Sequence, residues 1–352
     1  MERRSAIEEE QVMIKRHRVA VIGAGFMGSM HAAIFAGMVG CELAAIVDPN
    51  LELAGAVAAK APGCKVYPSH EALLTGERDL DLVSICTPDN LHLAPAVAVA
   101  KAGINIFVEK PISSTIEDAK AIIAACEAAK VKLGIGYLLR FDPRYAAAKE
   151  LMTSGKIGEP IHIYARRNSA RTEGPKRYGG KLPLALHVTV HDVDMVLWML
   201  DGQHPVSVYA QQTDILLGAS GTQDSLAAIV RFSGGTVVNF ESAWSLPAGA
   251  RHMIDARMEL IGTEGSFEVQ CGDSGLYYAS NETSREIDTQ HWPVVNGRLD
   301  GDLARQLGGL LAWLDGADMP IASGRDALRS LELTLAMMQS AQSGEIVRLG
   351  QA

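Results

Sequence analysis

Aromatic side chains are scarce, at 5% of the 352 residues, so the cores must be built from Ala, Val, Leu and Ile. Cysteine is scarce too: Cys41, Cys64, Cys86, Cys126 and Cys271 are odd in number, scattered and never in a C-x-x-C pair. That argues against a disulfide framework or a structural zinc site and fits reduced thiols in the cytoplasm. No apolar run reaches the ~18 residues that a membrane helix requires. Positive charge is in short supply: 32 Lys+Arg face 41 Asp+Glu, a net −9. A general nucleic-acid binder would need a basic face, so that class is disfavoured. Residues 1–17 are highly charged and lack the apolar segment of a signal peptide, so they read as a poorly ordered extension.

What is present is a regular alternation. Short apolar runs occur at Val19–Ile22, Leu43–Val47, Leu82–Cys86, Ile104–Val108 and Leu133–Gly136. They are apolar on both faces, as in a buried parallel sheet. Ala-rich helical segments lie between them, which predicts a doubly wound α/β domain over residues 18–140. After residue 140 the texture changes. A helix is expected over Pro143–Ser154, a strand over Pro160–Arg167 and a helix over Leu184–Leu200. Alternating strand patterns follow from Val206 to Ala279, with turn signals at Gly234-Gly235 and Thr263-Glu264-Gly265. The expected fold class is α/β: a Rossmann parallel sheet, then an α+β domain over 141–352 with a large, mostly antiparallel open sheet. The final helix is expected to pack back on the first domain.

The first strand runs into Gly23-Ala-Gly25-Phe26-Met27-Gly28 and then a helix. In a G-x-G-x-x-G turn the first glycine permits a tight turn and the second lets a pyrophosphate approach. The third lets the helix pack on the strand. The helix N-terminus offers free N–H groups and partial positive charge to phosphates. The second strand ends in Asp48, which can accept from an adenosine ribose and would repel a 2′-phosphate. Pro49 and Asn50 offer no compensating cation, so NAD is favoured over NADP. A fold of this kind that binds another nucleotide, or none, is the competing reading.

Further along, Cys86-Thr87-Pro88-Asp-Asn90-Leu-His92 and Val108-Glu109-Lys110-Pro111 resemble the glucose–fructose oxidoreductase / inositol dehydrogenase (Gfo/Idh/MocA) family. The likeness extends through Gly136-Tyr137-Leu-Leu-Arg140-Phe-Asp-Pro143, His191-Asp192-Val-Asp194 and Pro320-Ile-Ala-Ser-Gly324. It implies NAD(P)-dependent oxidation or reduction of sugars, cyclitols or related polyols. It also implies a cofactor surface that includes Thr87, Pro88, Asn90, His92, Glu109 and Lys110. Homodimers or homotetramers built through the second sheet are implied as well, and the E-K-P lysine is placed at the substrate hydroxyl, often before a cis proline. The chemistry agrees: a cation beside the hydroxyl stabilises alkoxide, and a base near neutral pKa removes the proton. Lys110 suits the first task and a histidine the second.

On the helix over Leu184–Leu200, a period of about 100° per residue puts His187, His191, Asp194 and Trp198 on one stripe. A zinc motif of H-E-x-x-H type is disfavoured by Val188 at the position of the Glu. Structural histidines remain an alternative to catalysis. The family resemblance assigns the base to His191 and matches Asp194. His187 stands where many members carry Asp, so it is expected only to touch substrate, together with Tyr137 and Asp194. Finally, Arg166, Arg167, Arg171, Lys176, Arg177 and Lys181 make a basic stretch in an acidic chain. Arg167 and Arg171 are candidate contacts to an anionic or heavily hydroxylated substrate. The alternative is a solvated stretch, or one that pairs with acids of a neighbouring subunit. Two other functions stay open: transient oxidation with recycled NAD, and a non-catalytic NAD sensor.

Overall fold

The computed structural model describes residues 16–170, 182–247, 249–252, 254–272, 275–281 and 284–350. Nearly all of the charged extension lies outside these residues, as do Arg171, Lys176, Arg177 and Lys181 of the basic stretch.

The first half alternates β1 (His17–Ile22), α1 (Phe26–Gly37), β2 (Cys41–Val47), α2 (Leu51–Ala58), β3 (Lys65–Tyr67), α3 (His70–Gly76), β4 (Leu82–Ile85), α4 (Leu93–Lys101), β5 (Asn105–Val108), α5 (Ile116–Ala129) and β6 (Leu133–Ile135). The sheet order is β6-β5-β4-β1-β2-β3, parallel throughout. The order reverses between β1 and β4, the switch point where an open α/β sheet forms its ligand crevice. β1 shows why both faces must be apolar. Val19 and Val21 join a core beneath α1 and α2, whereas Ala20 and Ile22 join the core beneath α4 and α5. Successive side chains point to opposite faces, so a strand covered on both sides has no polar face. β3 and α3, three and seven residues long, escape the sequence reading because neither is long enough to display a period.

The helices start where their caps say. Thr115 accepts from Asp118 N–H at the start of α5, and Asp142 accepts from Arg144 N–H ahead of Pro143 at the start of α6 (Pro143–Thr153). The C-terminal helix, Gly324–Ser343, has a reciprocal Ser323/Asp326 capping box and ends at Gly344 in the left-handed region.

The second sheet comprises β7 (Pro160–Ala170), β8 (Pro205–Thr213), β9 (Ser225–Phe232), β10 (Val237–Leu246), β11 (Ile254–Gly262), β12 (Ser266–Gln270) and the short strand Val347–Arg348. Its order is β12-β11-β7-β10-β9-β8 and then Val347–Arg348. Every pairing is antiparallel except β7 with β10. Both expected hairpin turns occur, joining β9 to β10 and β11 to β12. One face packs on the helix Val190–Met199 and the C-terminal helix. The other face leaves Tyr209, Ile229 and Ile261 exposed. The strand Ala322–Ser323 returns to the first sheet and pairs antiparallel with β6, and the C-terminal helix starts against Ile123 and Leu133. Among the described residues no helix is long and apolar enough to cross a membrane.

Candidate active site

The glycine turn follows directly from the crowding around it. Gly23 has φ +97°, and a Cβ there would lie 2.8 Å from the carbonyl of Cys86. A Cβ on Gly28 would lie 1.7 Å from the Gly23 oxygen. Gly25 has open space on its side-chain face, and α1 begins there with no side-chain cap. An uncapped helix start beside open space is what an anionic diphosphate requires. Phe26 and Met27 lie at the rim, Phe26 edge-on to Trp292 with ring centroids 6.0 Å apart. Asp48 ends the second strand and accepts from Ala24 N–H and Asn50 N–H, both at 2.8 Å. It braces the turn, and each oxygen keeps a lone pair for a ribose hydroxyl.

Across the switch point, Thr87 follows β4 with its hydroxyl buried and without a hydrogen-bond partner among the described residues. Pro88 and Asn90 are exposed. His92 differs from expectation. It is buried, with Nε2 2.8 Å from Thr87 O and Nδ1 3.1 Å from Ile112 O. It clamps two loops together and presents no ring nitrogen to a cofactor. Glu109 is also corrected: its carboxylate is turned inward, accepting from Lys110 N–H at 3.1 Å with His31 Nε2 at 3.1 Å. The Lys110–Pro111 bond is cis, as the resemblance implies.

The lysine meets the histidine helix at an irregularity. The expected continuous α-helix opens as a π-helical turn over Ala185–Thr189, with Val190 N–H donating to Ala185 O, and becomes α-helical only at Val190–Met199. Such turns recur at functional sites because they re-aim side chains and free carbonyls. Here His187 O accepts from Lys110 Nζ at 2.9 Å. Burial brings the Lys110 ammonium down to about 8, against the pull of Glu109 and Asp89 and aided by Arg167. Burial and then Lys110 push His187 down to about 3. His191 is held well below the ordinary histidine value by burial, then by Lys110, Arg167, His291 and His187. Its Nδ1 is buried with no hydrogen-bond partner among the described residues. Trp244 lies beside His187, the rings tilted by 33° with centroids 6.3 Å apart. A half-buried cation and two neutral imidazoles thus share one place.

The rest of the expected stripe goes elsewhere. Asp194 is fully buried, and both its oxygens accept from Arg140, at 2.9 and 2.6 Å. It is a structural anchor, not the expected substrate contact. Tyr137 is buried beside that pair, close enough to feel Asp194, Arg140 and Asp326. Arg167 is corrected for the same reason: its guanidinium binds both oxygens of Asp192, at 2.8 and 3.0 Å, and is 6% exposed. Arg166 pairs with Asp255 at 2.9 Å. β7 runs on to Ala170, past the expected end at Arg167, so both arginines lie within the strand. The sequence reading missed Arg140 and Asp192 as partners because the pairs close over 54 and 25 residues of chain. It also missed His31, whose signal was present: one imidazole in the otherwise apolar run Met30-His31-Ala-Ala-Ile34-Phe35.

One further group is compact enough to hold a metal: Asp142, His291 and Asp302 offer ligand atoms within 4.8 Å of one another. Asp142 is already committed to Arg144, at 3.0 and 2.5 Å, and His291 Nδ1 lies 2.8 Å from Asp302 Oδ2, whose other oxygen is buried without a hydrogen-bond partner among the described residues.

An uncapped, glycine-built helix start at the switch point of a parallel sheet, with a lysine and histidines opposite, defines an NAD-binding oxidoreductase. Comparison with known proteins agrees. Residues 17–137 match the family described as "Oxidoreductase family, NAD-binding Rossmann fold", and residues 145–268 match the GFO/IDH/MocA C-terminal domain. The chain belongs to the GFO/IDH/MocA oxidoreductase family. It is 33% identical over 255 residues to inositol 2-dehydrogenase of Rhizobium meliloti, covering 71% of this chain and 74% of that one. It is 27% identical over 339 residues to scyllo-inositol 2-dehydrogenase (NAD(+)) of Bacillus subtilis, covering 94% and 96%. A solved structure titled a putative myo-inositol dehydrogenase from Sinorhizobium meliloti superposes with a TM-score of 0.78 at 26% identity, covering 95% of this chain and 100% of that one.

Proposed function

We propose that the protein is an NAD-dependent dehydrogenase that oxidises a secondary hydroxyl of a cyclitol or closely related polyol. The observation that carries this reading is the meeting of Lys110 and His191 at the strand ends beside the glycine turn. NAD, when bound, supplies the hydride acceptor. The turn Gly23–Gly28, the start of α1 and Asp48 would hold it, and the Asp48 carboxylate disfavours the 2′-phosphate of NADP. The Lys110 ammonium, hydrogen-bonded to His187 O, retains further N–H donors for a substrate oxygen. It would stabilise the alkoxide as the proton leaves. His191, kept neutral by its surroundings, has an unpartnered Nδ1 and would take that proton. Its low basicity is offset because the same lysine acidifies the hydroxyl. His187 and Trp244 would border the sugar ring. The exposed Tyr209, Ile229 and Ile261 support assembly through the open sheet face, and five unpaired cysteines fit a reducing cytoplasm.

The test is a panel of cyclitols, sugars and sugar acids with NAD and with NADP, following reduced cofactor. Steady NADH formation with myo- or scyllo-inositol is the expected result. Turnover with no net NADH would favour recycled cofactor, and binding of NAD with no accepted polyol would favour a sensor; either outcome overturns the proposal.

A further inference from the structure

We propose that His31 and Glu109 form a buried ion pair that positions Lys110 and governs its charge, tying the cofactor-binding helix to the reacting lysine. The proposal rests on the role given to Lys110 above. His31 lies on α1, fully buried, with Nδ1 2.9 Å from Ser84 Oγ and 3.4 Å from Cys86 Sγ. Its other nitrogen, Nε2, is 3.1 Å from Glu109 Oε1. The second oxygen of Glu109 accepts from Lys110 N–H. The third side is closed by Gly136 at the end of β6, where any Cβ would lie 2.9 Å from Glu109 Oε1. The carboxylate is therefore fixed between α1, the lysine backbone and β6.

A buried carboxylate is costly unless paired, and none of the chemistry derived above uses His31. The pair makes sense as a means of keeping a negative charge beside Lys110 while moderating it. The charged and titratable groups facing Lys110 are Glu109, Asp89, Arg167, His187 and His191. Those around Glu109 are His31, Lys110 and His92. His31 faces Cys86 and Glu109. Burial works against an imidazolium there, but Cys86 and Glu109 push His31 up to about 10. At neutral pH the His31 cation offsets part of the field that Glu109 exerts on Lys110. Loss of Glu109 therefore weakens the hold of Lys110 on its proton, and loss of His31 strengthens it.

Opposite signs make the test sharp. Protein carrying ¹³C at the lysine ε carbons is titrated by NMR, with the Lys110 resonance identified by its loss in Lys110→Met. Glu109→Gln is expected to lower the Lys110 midpoint by about one pH unit. His31→Gln should raise it, and the double variant should fall between Glu109→Gln and the parent. Midpoints that do not move, or single variants that move the same way, overturn the proposal. A second measurement needs no variant: ¹⁵N-histidine NMR of the parent protein should show one ring protonated on both nitrogens at about pH 8, far above the unperturbed ~6.5. If none of the ten histidines stays protonated there, the ion pair does not exist. The two readings can fail separately. Lys110→Met with parent-like turnover removes the lysine from catalysis, whereas an inactive Lys110→Met with unmoved midpoints removes the pair from its control.

Discussion

The two ends of the histidine helix carry the same kinds of residue and treat them in opposite ways. In its C-terminal half, Asp194 is gripped by Arg140 through hydrogen bonds to both carboxylate oxygens. At its N-terminal turn, Lys110 meets neutral His187 and His191, and His191 Nδ1 has no hydrogen-bond partner among the described residues. Among the described residues no carboxylate hydrogen-bonds the Lys110 ammonium, and the helix itself is distorted there. The lesson is about where satisfaction stops. A buried polar group whose bonds are complete holds the fold, whereas one left incomplete within a cleft is available for chemistry.

That contrast can be broken experimentally. The largest effect is expected at the incomplete end. His191→Ala should lower kcat by about 10²–10⁴-fold while the unfolding midpoint stays at or above the parent value. A stability loss with turnover intact would reverse the assignment. Next comes the satisfied end. Arg140→Ala should cost about 3–5 kcal/mol in urea unfolding, because Asp194 is left charged and buried without its partner. Arg140→Met combined with Asp194→Leu should recover most of that loss; failure to recover would mean that the pair does more than hold the fold.

A smaller effect is expected at Asp302, where burial outweighs His291 and raises the carboxyl to about 6. A raised carboxyl favours its protonated form in the folded state. The unfolded chain releases the proton near ~3.9, so folding loses stability as pH rises from about 4 to 6 and stays at the lower level above. Asp302→Asn should remove that pH dependence, a difference of about 2–3 kcal/mol between the two variants' pH curves. Identical curves from pH 4 to 8 would show that Asp302 ionises normally. The smallest effect is expected at Asp48→Ser. NADP use should rise severalfold relative to NAD, with some loss of NAD affinity because Ala24 N–H and Asn50 N–H lose their acceptor.

Much of this organisation was readable before any coordinates. The glycine turn stands out because local spacing sets its shape, and Asp48 because it follows the next strand, whereas Lys110 and His191 were singled out through the family motifs that contain them. The longer strands of the first sheet were readable too, since a sheet covered on both faces imposes unbroken apolar runs. What could not be read were partners. Nothing local tells Asp194 that Arg140 will reach it, or that His92 will spend its ring on two backbone carbonyls. The stripe drawn at 3.6 residues per turn joined His187 and His191 to Asp194 and Trp198. In the folded chain the first two face Lys110, while the last two face Arg140, whose guanidinium lies 5.6 Å from the Trp198 ring. Periodicity assigns a face but cannot say that the face will be divided between two neighbours, nor that a π turn will open at its start.

The two-residue strand Ala322–Ser323 carries a consequence for biosynthesis. It is what covers β6, which would otherwise be the open edge of the cofactor-binding sheet. Ile321 and Leu310, both from the last fifth of the chain, pack over Gly134 in the same place. A ribosome delivers the first domain well before these residues emerge. Until they do, the nascent sheet presents unpaired N–H and C=O groups and apolar surface to its surroundings. The cofactor domain is thus encoded first and finished last, and a chain halted anywhere before Ala322 leaves a template for aggregation.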